Sequence, residues 1–287
     1  MNAIKTAVLL AAMMGLFMLF GGLFGGRSGV LVAFTIGMLL NFVMYWFSDR
    51  IVLSMYGAKP IEAKDNPVLY GLVQNLASRM DLPMVKVYII NMEAPNAFAT
   101  GRNPAHAAVA VSPSIMNLLS KHELEAVLAH ELSHIKHRDT LIATLAAGIA
   151  SAISMLANLA HFAAFFGGRG GGDDDEGGNP LVLLLLAIIT PIIAMIIQLA
   201  ISRSREYEAD SGAAVVTNRP NSMISALEKI HGYAKEAPIR EGAPSTASLF
   251  IANPYKESWM INILSTHPTL SRRIKNIEKT AEKLGLA

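Results

Sequence analysis

The chain has 287 residues, of which 52% are hydrophobic and only 16% charged, with a formal net charge of +2 and a mean hydropathy of +0.40. An ordinary soluble domain carries about 25% charged residues, so this composition excludes disorder and fits poorly with a free globule. The near balance of charge gives no sign of a nucleic-acid partner. The absence of cysteine excludes disulfides, thiolate metal sites and thiol nucleophiles, leaving His, Asp and Glu to hold any metal.

In chain order, the first elements are two apolar runs, Ala7 to Phe24 and Val30 to Phe47, each about 18 residues without a formal charge and long enough to cross a hydrocarbon core of about 30 Å. Gly25 to Gly29 links them. A cleaved signal peptide is disfavoured, because Leu19-Phe20-Gly21-Gly22 is a poor cleavage site and a second run follows at once. Helical spacing covers Asn66 to Met80 and Lys121 to Arg138, and β-branched content marks strands at Met84 to Asn91 and Ala107 to Val111.

A third run, Leu141 to Phe166, is weakened by Ser151, Ser154, Asn158 and His161, so an amphipathic surface helix competes with a span there. The fourth, Leu181 to Ile201, carries a kinking Pro191. The loop from Gly167 to Asn179 is acidic and glycine-rich, and its spacing fits a solvated linker better than a calcium loop. Beyond it, Glu206 to Thr217, Met223 to Tyr233 and Ser271 to Leu284 have helical spacing, while Ala234 to Ser258, with three prolines, is irregular.

Apart from Arg27 and Arg169, every Lys and Arg lies on one side of the four runs, which places both termini and the polar remainder in the cytoplasm. The fold class expected is therefore membrane α-helical, four transmembrane helices in two hairpins, with one cytoplasmic α+β domain, mostly helical with a small sheet. Residues 1–48 and 141–201 form the hairpins, and 49–140 and 202–287 the two parts of the domain.

The most informative segment is Ala129-His130-Glu131-Leu132-Ser133-His134. His130 and His134 share one helix face, about 6 Å of rise apart, so both imidazoles reach one ion, while Glu131 reaches a water beside it. This is the HExxH arrangement of zinc peptidases. Zinc then needs a third protein ligand and an open position. The metzincin pattern would continue with Gly and His on the same helix, but His137 and Thr140 stand there instead. The gluzincin (zincin-like) alternative takes a Glu from a second helix. Glu206 and Asp210 offer Glu-x-x-x-Asp spacing on one face, and a hairpin of matched arms returns Glu206 to the level of His134. Glu208 is the rival ligand. Asp210 is expected to accept a hydrogen bond from a ligand imidazole, and His137 to make interfacial or supporting contacts.

With these motifs in hand, the chain resembles the HtpX family of membrane-bound zinc proteases, and more distantly the CAAX prenyl endopeptidases. Asn96-Ala97-Phe98-Ala99 is similar to that family's edge-strand motif, and Ser265 to Leu270 with Arg272-Arg273-Ile274 to its His-Pro motif. The resemblance implies one Zn²⁺ per chain and a bacterial inner-membrane location. It also implies misfolded membrane-protein or unfolded polypeptide substrates in stress response and quality control, with His267 and Arg273 helping to hold the substrate carbonyl. An exposed edge strand at Asn96, Ala97, Phe98 and Ala99 suits β-addition of an extended peptide.

Three rival readings stand beside this one. An intramembrane protease is excluded by Lys121, Glu123, Glu125, Lys136 and Arg138 on the HExxH helix. A CAAX-type prenyl-protein endopeptidase would share every motif. A non-catalytic membrane metal-binding protein would keep the ligands but have no use for the edge strand. Oligomeric state, cleavage preference and gating are not legible in the sequence.

Overall fold

The computed structural model describes residues 2–142, 203–236 and 268–286. The third and fourth apolar runs, the acidic loop, most of the segment from Ala234 to Ser258, and His267 lie outside the described residues. The chain opens with helix α1 (Asn2–Met55), which is interrupted at Gly26, where φ is 54° and ψ −140°. Glycine tolerates that conformation without steric cost, and the chain reverses there. Asn41 Nδ2 donates to Leu10 O at 3.2 Å, joining the two arms across the turn. Gly26–Phe47 is long and apolar enough to cross a membrane, the one such helix among the described residues.

Four strands follow, β1 (Lys59–Ile61), β2 (Lys86–Ile89), β3 (Ala97–Thr100) and β4 (Ala108–Val111), in the order β1-β2-β4-β3. The pairs β1/β2 and β3/β4 are antiparallel and β2/β4 is parallel, so β3 is an edge among the described residues. Side chains alternate between the faces. Val87, Ala97, Ala99, Val109 and Val111 join the main core with helices α2 (Pro67–Arg79) and α4 (Lys121–Lys136). Ile90, Phe98, Ala108 and Ala110 face the other way and pack against Val52 and Leu53. Thus α1 continues past its apolar stretch and docks on the back of the sheet.

A short α3 (Pro113–Leu118), capped by Ser112, leads into α4. Ser120 and Glu123 form a reciprocal capping box that starts α4. Glu123 also accepts from Lys229 at 2.7 Å and Ser225 at 2.6 Å, tying α4 to α6 (Pro220–Glu236). Burial raises the Glu123 pKa, but these bonds outweigh it and bring it to about 2. Glu125 likewise takes Arg79 at 3.4 Å and Arg219 at 3.3 Å. Most of α4 is therefore buried, with Ala126, Val127, Leu128, Ala129 and Leu132 inaccessible. It packs on α5 (Arg203–Thr217), and α7 (Leu270–Leu284) closes over α5.

Candidate metal centre

The site lies where α4 crosses α5. His130 and His134, one turn apart on α4, bring their Nε2 atoms to 3.2 Å. Glu206, in the first turn of α5, places Oε2 3.7 Å from His130 Nε2 and Oε1 3.6 Å from His134 Nε2. One ligand atom from each of the three lies within 4.8 Å of the others. Ligands about 2.0–2.1 Å from a tetrahedral ion stand roughly 3.3 Å apart, so this triangle has the size a zinc ion requires.

The outer shell strengthens that fit. Asp210, one turn beyond Glu206, sets Oδ1 2.9 Å from His130 Nδ1. Asp139 sets Oδ2 3.2 Å from His134 Nδ1. A carboxylate facing each Nδ1 favours the tautomer with its proton there. With both rings neutral, the two Nε2 lone pairs converge on one point, an arrangement a cation relieves. Asp210 is itself gripped by Arg273 of α7, whose Nε and Nη2 donate at 2.9 and 2.7 Å. Burial raises the Asp210 pKa, but the Arg273 charge and bonds outweigh it and hold the group ionised below the usual carboxylate range. For His134 burial acts downward, yet Asp139 overrides it and raises the imidazole to about 9.

Glu131 follows His130 on α4, close enough to both imidazoles and to Glu206 to feel their charge, and its Oε2 accepts the backbone N–H of Ala99 at 2.9 Å. Burial, with the charge of Glu206, pushes its pKa up against the opposing pull of His130, His134 and that hydrogen bond. The bond also defines the edge strand. Ser112 N donates to Asn96 O at 2.9 Å, so alternation directs the backbone of Ala97 and Ala99 away from β4, towards α4. Phe98 turns its side chain into the cluster behind the sheet. The site thus combines two imidazoles, a carboxylate, a buried acid and an edge strand within one crossing of elements.

Of the residues expected from sequence, His130, His134, Glu206, Asp210 and Arg273 come together, and Glu131 is joined to Ala99. Two nitrogens of Arg273 are engaged by Asp210, and Nη1 lies 3.9 Å from Glu206 Oε2. His137 caps α4 and is exposed, and Glu208 is exposed. Sequence reasoning missed Asp139. A signal for it exists: an acid just past a helix C-terminus opposes the helix dipole, and so needs a cationic or proton-donating partner. The left-handed Arg138 (φ 58°) lets the chain fold back, with Asp139 N donating to His134 O at 3.2 Å.

Residues 63–281 match the family model of Peptidase family M48. A Protease HtpX homolog of Desulforapulum autotrophicum is 48% identical over 276 residues, covering 96% of this chain and 89% of the relative. Another, of Ralstonia pickettii, is 48% identical over 283 residues, covering 98% and 97%. A third, of Aquifex aeolicus, is 50% identical over 274 residues, covering 94% and 90%. Among solved structures, the crystal structure of S. mikatae Ste24p aligns with a TM-score of 0.49 at 17% identity. That alignment covers 96% of this chain, which spans 65% of the length of that one.

Proposed function

The chain belongs to peptidase family M48 and is a metalloprotease, and from that premise we propose that it is a multi-pass membrane zinc endopeptidase acting on membrane-anchored or unfolded polypeptides. The observation that carries this reading is the convergence of His130, His134 and Glu206 within 4.8 Å, beside a buried Glu131 tied to an edge strand. The two imidazoles and one carboxylate would hold zinc and leave a position open. When bound, zinc supplies a Lewis acid that polarises a carbonyl and acidifies a water.

The chain's own residues supply the rest. Asn96, Ala97, Phe98 and Ala99 are buried rather than exposed, so an extended peptide would have to displace what covers β3 to add to it through the Ala97 backbone and the Ala99 carbonyl. Glu131 removes the proton from the attacking water and delivers it to the leaving amine. Its raised pKa suits it to carry that proton between the two steps. Asp210 and Asp139 keep the imidazoles turned towards the ion, and Arg273 keeps Asp210 in place. By the family resemblance, His267 and Arg273 also steady the carbonyl oxygen as it gains charge, a kind of interaction worth about 3 kcal/mol per donor. The first two apolar runs, folded back at Gly26, form one membrane hairpin, and the runs at 141–166 and 181–201 a second, with the catalytic part cytoplasmic.

The test measures zinc content and casein cleavage together, on detergent-purified protein. Glu131→Gln should keep about one zinc per chain and lose at least roughly a hundredfold in turnover, whereas Glu206→Ala should lose the metal. Near-native turnover in the Gln chain would remove Glu131 from the mechanism, and full zinc in Glu206→Ala would remove Glu206 from the ligand set.

A further inference from the structure

The edge strand β3 is fastened at two points to the helix that carries the apolar stretch Gly26–Phe47. Behind the sheet, the Phe98 ring lies 5.2 Å from that of Tyr56, just past the end of α1. Beyond the strand, Gly101 makes a close turn: its φ is 135°, and a Cβ there would stand 2.4 Å from His106 O, so only glycine fits. Gly101 O accepts from Thr140 Oγ1 at 3.1 Å, just past the end of α4. The turn sends Arg102 back to α1, where its guanidinium lies 4.7 Å over the Trp46 ring and its Nη1 donates to Trp46 O at 3.3 Å. One helical turn along, the Arg50 guanidinium lies 5.6 Å over the ring of Phe47.

Trp46 and Phe47 end the apolar stretch and remain 43% and 39% exposed, and Phe42, one turn before Trp46, is 57% exposed. Two cations therefore lie over the rings of two consecutive residues at the end of a candidate span. Neither pairs with a carboxylate among the described residues. An amphipathic ring suits the boundary between acyl chains and water, and guanidinium groups suit phosphate oxygens. Inorganic phosphate would satisfy the arginines but leave Phe42, Trp46 and Phe47 uncovered.

We propose that Arg50 and Arg102, with Trp46 and Phe47, form a docking surface for the phosphates of anionic phospholipid headgroups, whose occupancy holds β3 at the headgroup level of the bilayer. This rests on the membrane protease reading above and extends it. The strand that receives substrate is set at a fixed height, so polypeptide close to its own membrane anchor is the substrate best placed to reach it.

The test uses the full chain with Trp259→Phe, which leaves Trp46 as the single tryptophan of the two in the sequence. It is reconstituted in nanodiscs of phosphatidylcholine alone or mixed with phosphatidylglycerol. Phosphatidylglycerol should raise kcat/KM for a membrane-tethered peptide about fivefold and change Trp46 emission, while millimolar inorganic phosphate in neutral discs does neither. Arg50→Gln should weaken the response and keep casein cleavage in detergent. Arg50→Gln with Arg102→Gln should abolish the response, and Arg102→Lys should retain part of it. Equal activity and emission in both lipids, a response that survives the double substitution, or replacement of the lipid by inorganic phosphate would each overturn the site. If tethered peptide and casein are both left uncut, the protease reading fails, and the emission change still decides whether the site exists.

Discussion

Each ligand imidazole leans on its own aspartate, Asp210 for His130 and Asp139 for His134. The two supports differ in how they are backed. Asp210 is clamped by Arg273, whereas Asp139 Oδ1 and Arg205 Nη2 are both buried without a hydrogen-bond partner among the described residues. Asp139→Asn should weaken metal binding by about 10–100-fold with the fold intact, as read by chelator competition, and unchanged affinity would reduce Asp139 to a helix-end residue. The His134 pKa of about 9 sets a pH dependence. Without metal the ring is protonated below about 9, and its charge then stabilises the fold, fully below 6.5 and no longer above about 9. Metal must displace that proton, so affinity should fall by up to about tenfold per pH unit from pH 9 towards 7. A flat profile would refute the assignment. His130 with His134, and Glu206 with Asp210, were legible because four-residue spacing puts each pair on one helix face, and Glu131 because it follows the first imidazole. Asp139 was not, because its position depends on the left-handed turn at Arg138.

The crossing of α4 and α5 depends on a small residue. A Cβ on Gly212 would stand 2.6 Å from Ser133 Oγ, which is itself held by Ala129 O at 2.8 Å. Gly212→Ala should push the helices apart, lowering stability by about 1–3 kcal/mol and weakening metal binding, since Glu206 and Asp210 ride on the displaced helix. Ser133→Ala should restore most of both. Thermal unfolding and metal titration of the two variants check this, and no change in Gly212→Ala would show that the helices do not need their close approach. The amphipathic helices were readable from their spacing. The elements missed are short ones: β1 has three residues and rests on its pairing with β2, and α3 has six. The second apolar run ends at Phe47, as expected, but α1 continues to Met55 because Val52 and Leu53 have a sheet to bury against.

Across the molecule, the centre joins α4 to α5, and α7 locks that joint through Arg273. Metal should therefore add to global stability, by about 4 kcal/mol at a concentration about a thousandfold above Kd. Chelator should lower Tm in the wild type and have no effect in Glu206→Ala; equal melting of the wild type with and without chelator would contradict a metal that joins these helices. The mostly helical fold with a small sheet and the apolar stretch within Gly26–Phe47 were readable from periodicity and run length, which need no tertiary information. The packing of α1 on the back of the sheet was not, because Val52, Leu53 and Phe98 are distant in sequence and carry no spacing that links them.

The order in which the pieces occur along the chain has a further consequence. During translation the imidazoles of α4 leave the ribosome long before the carboxylate of α5, and the guanidinium that steadies it comes later still. A half-made polypeptide thus carries an open and harmless pair of histidines. Destructive capacity arises only once α7 has been synthesised, so a half-made copy cannot attack its neighbours.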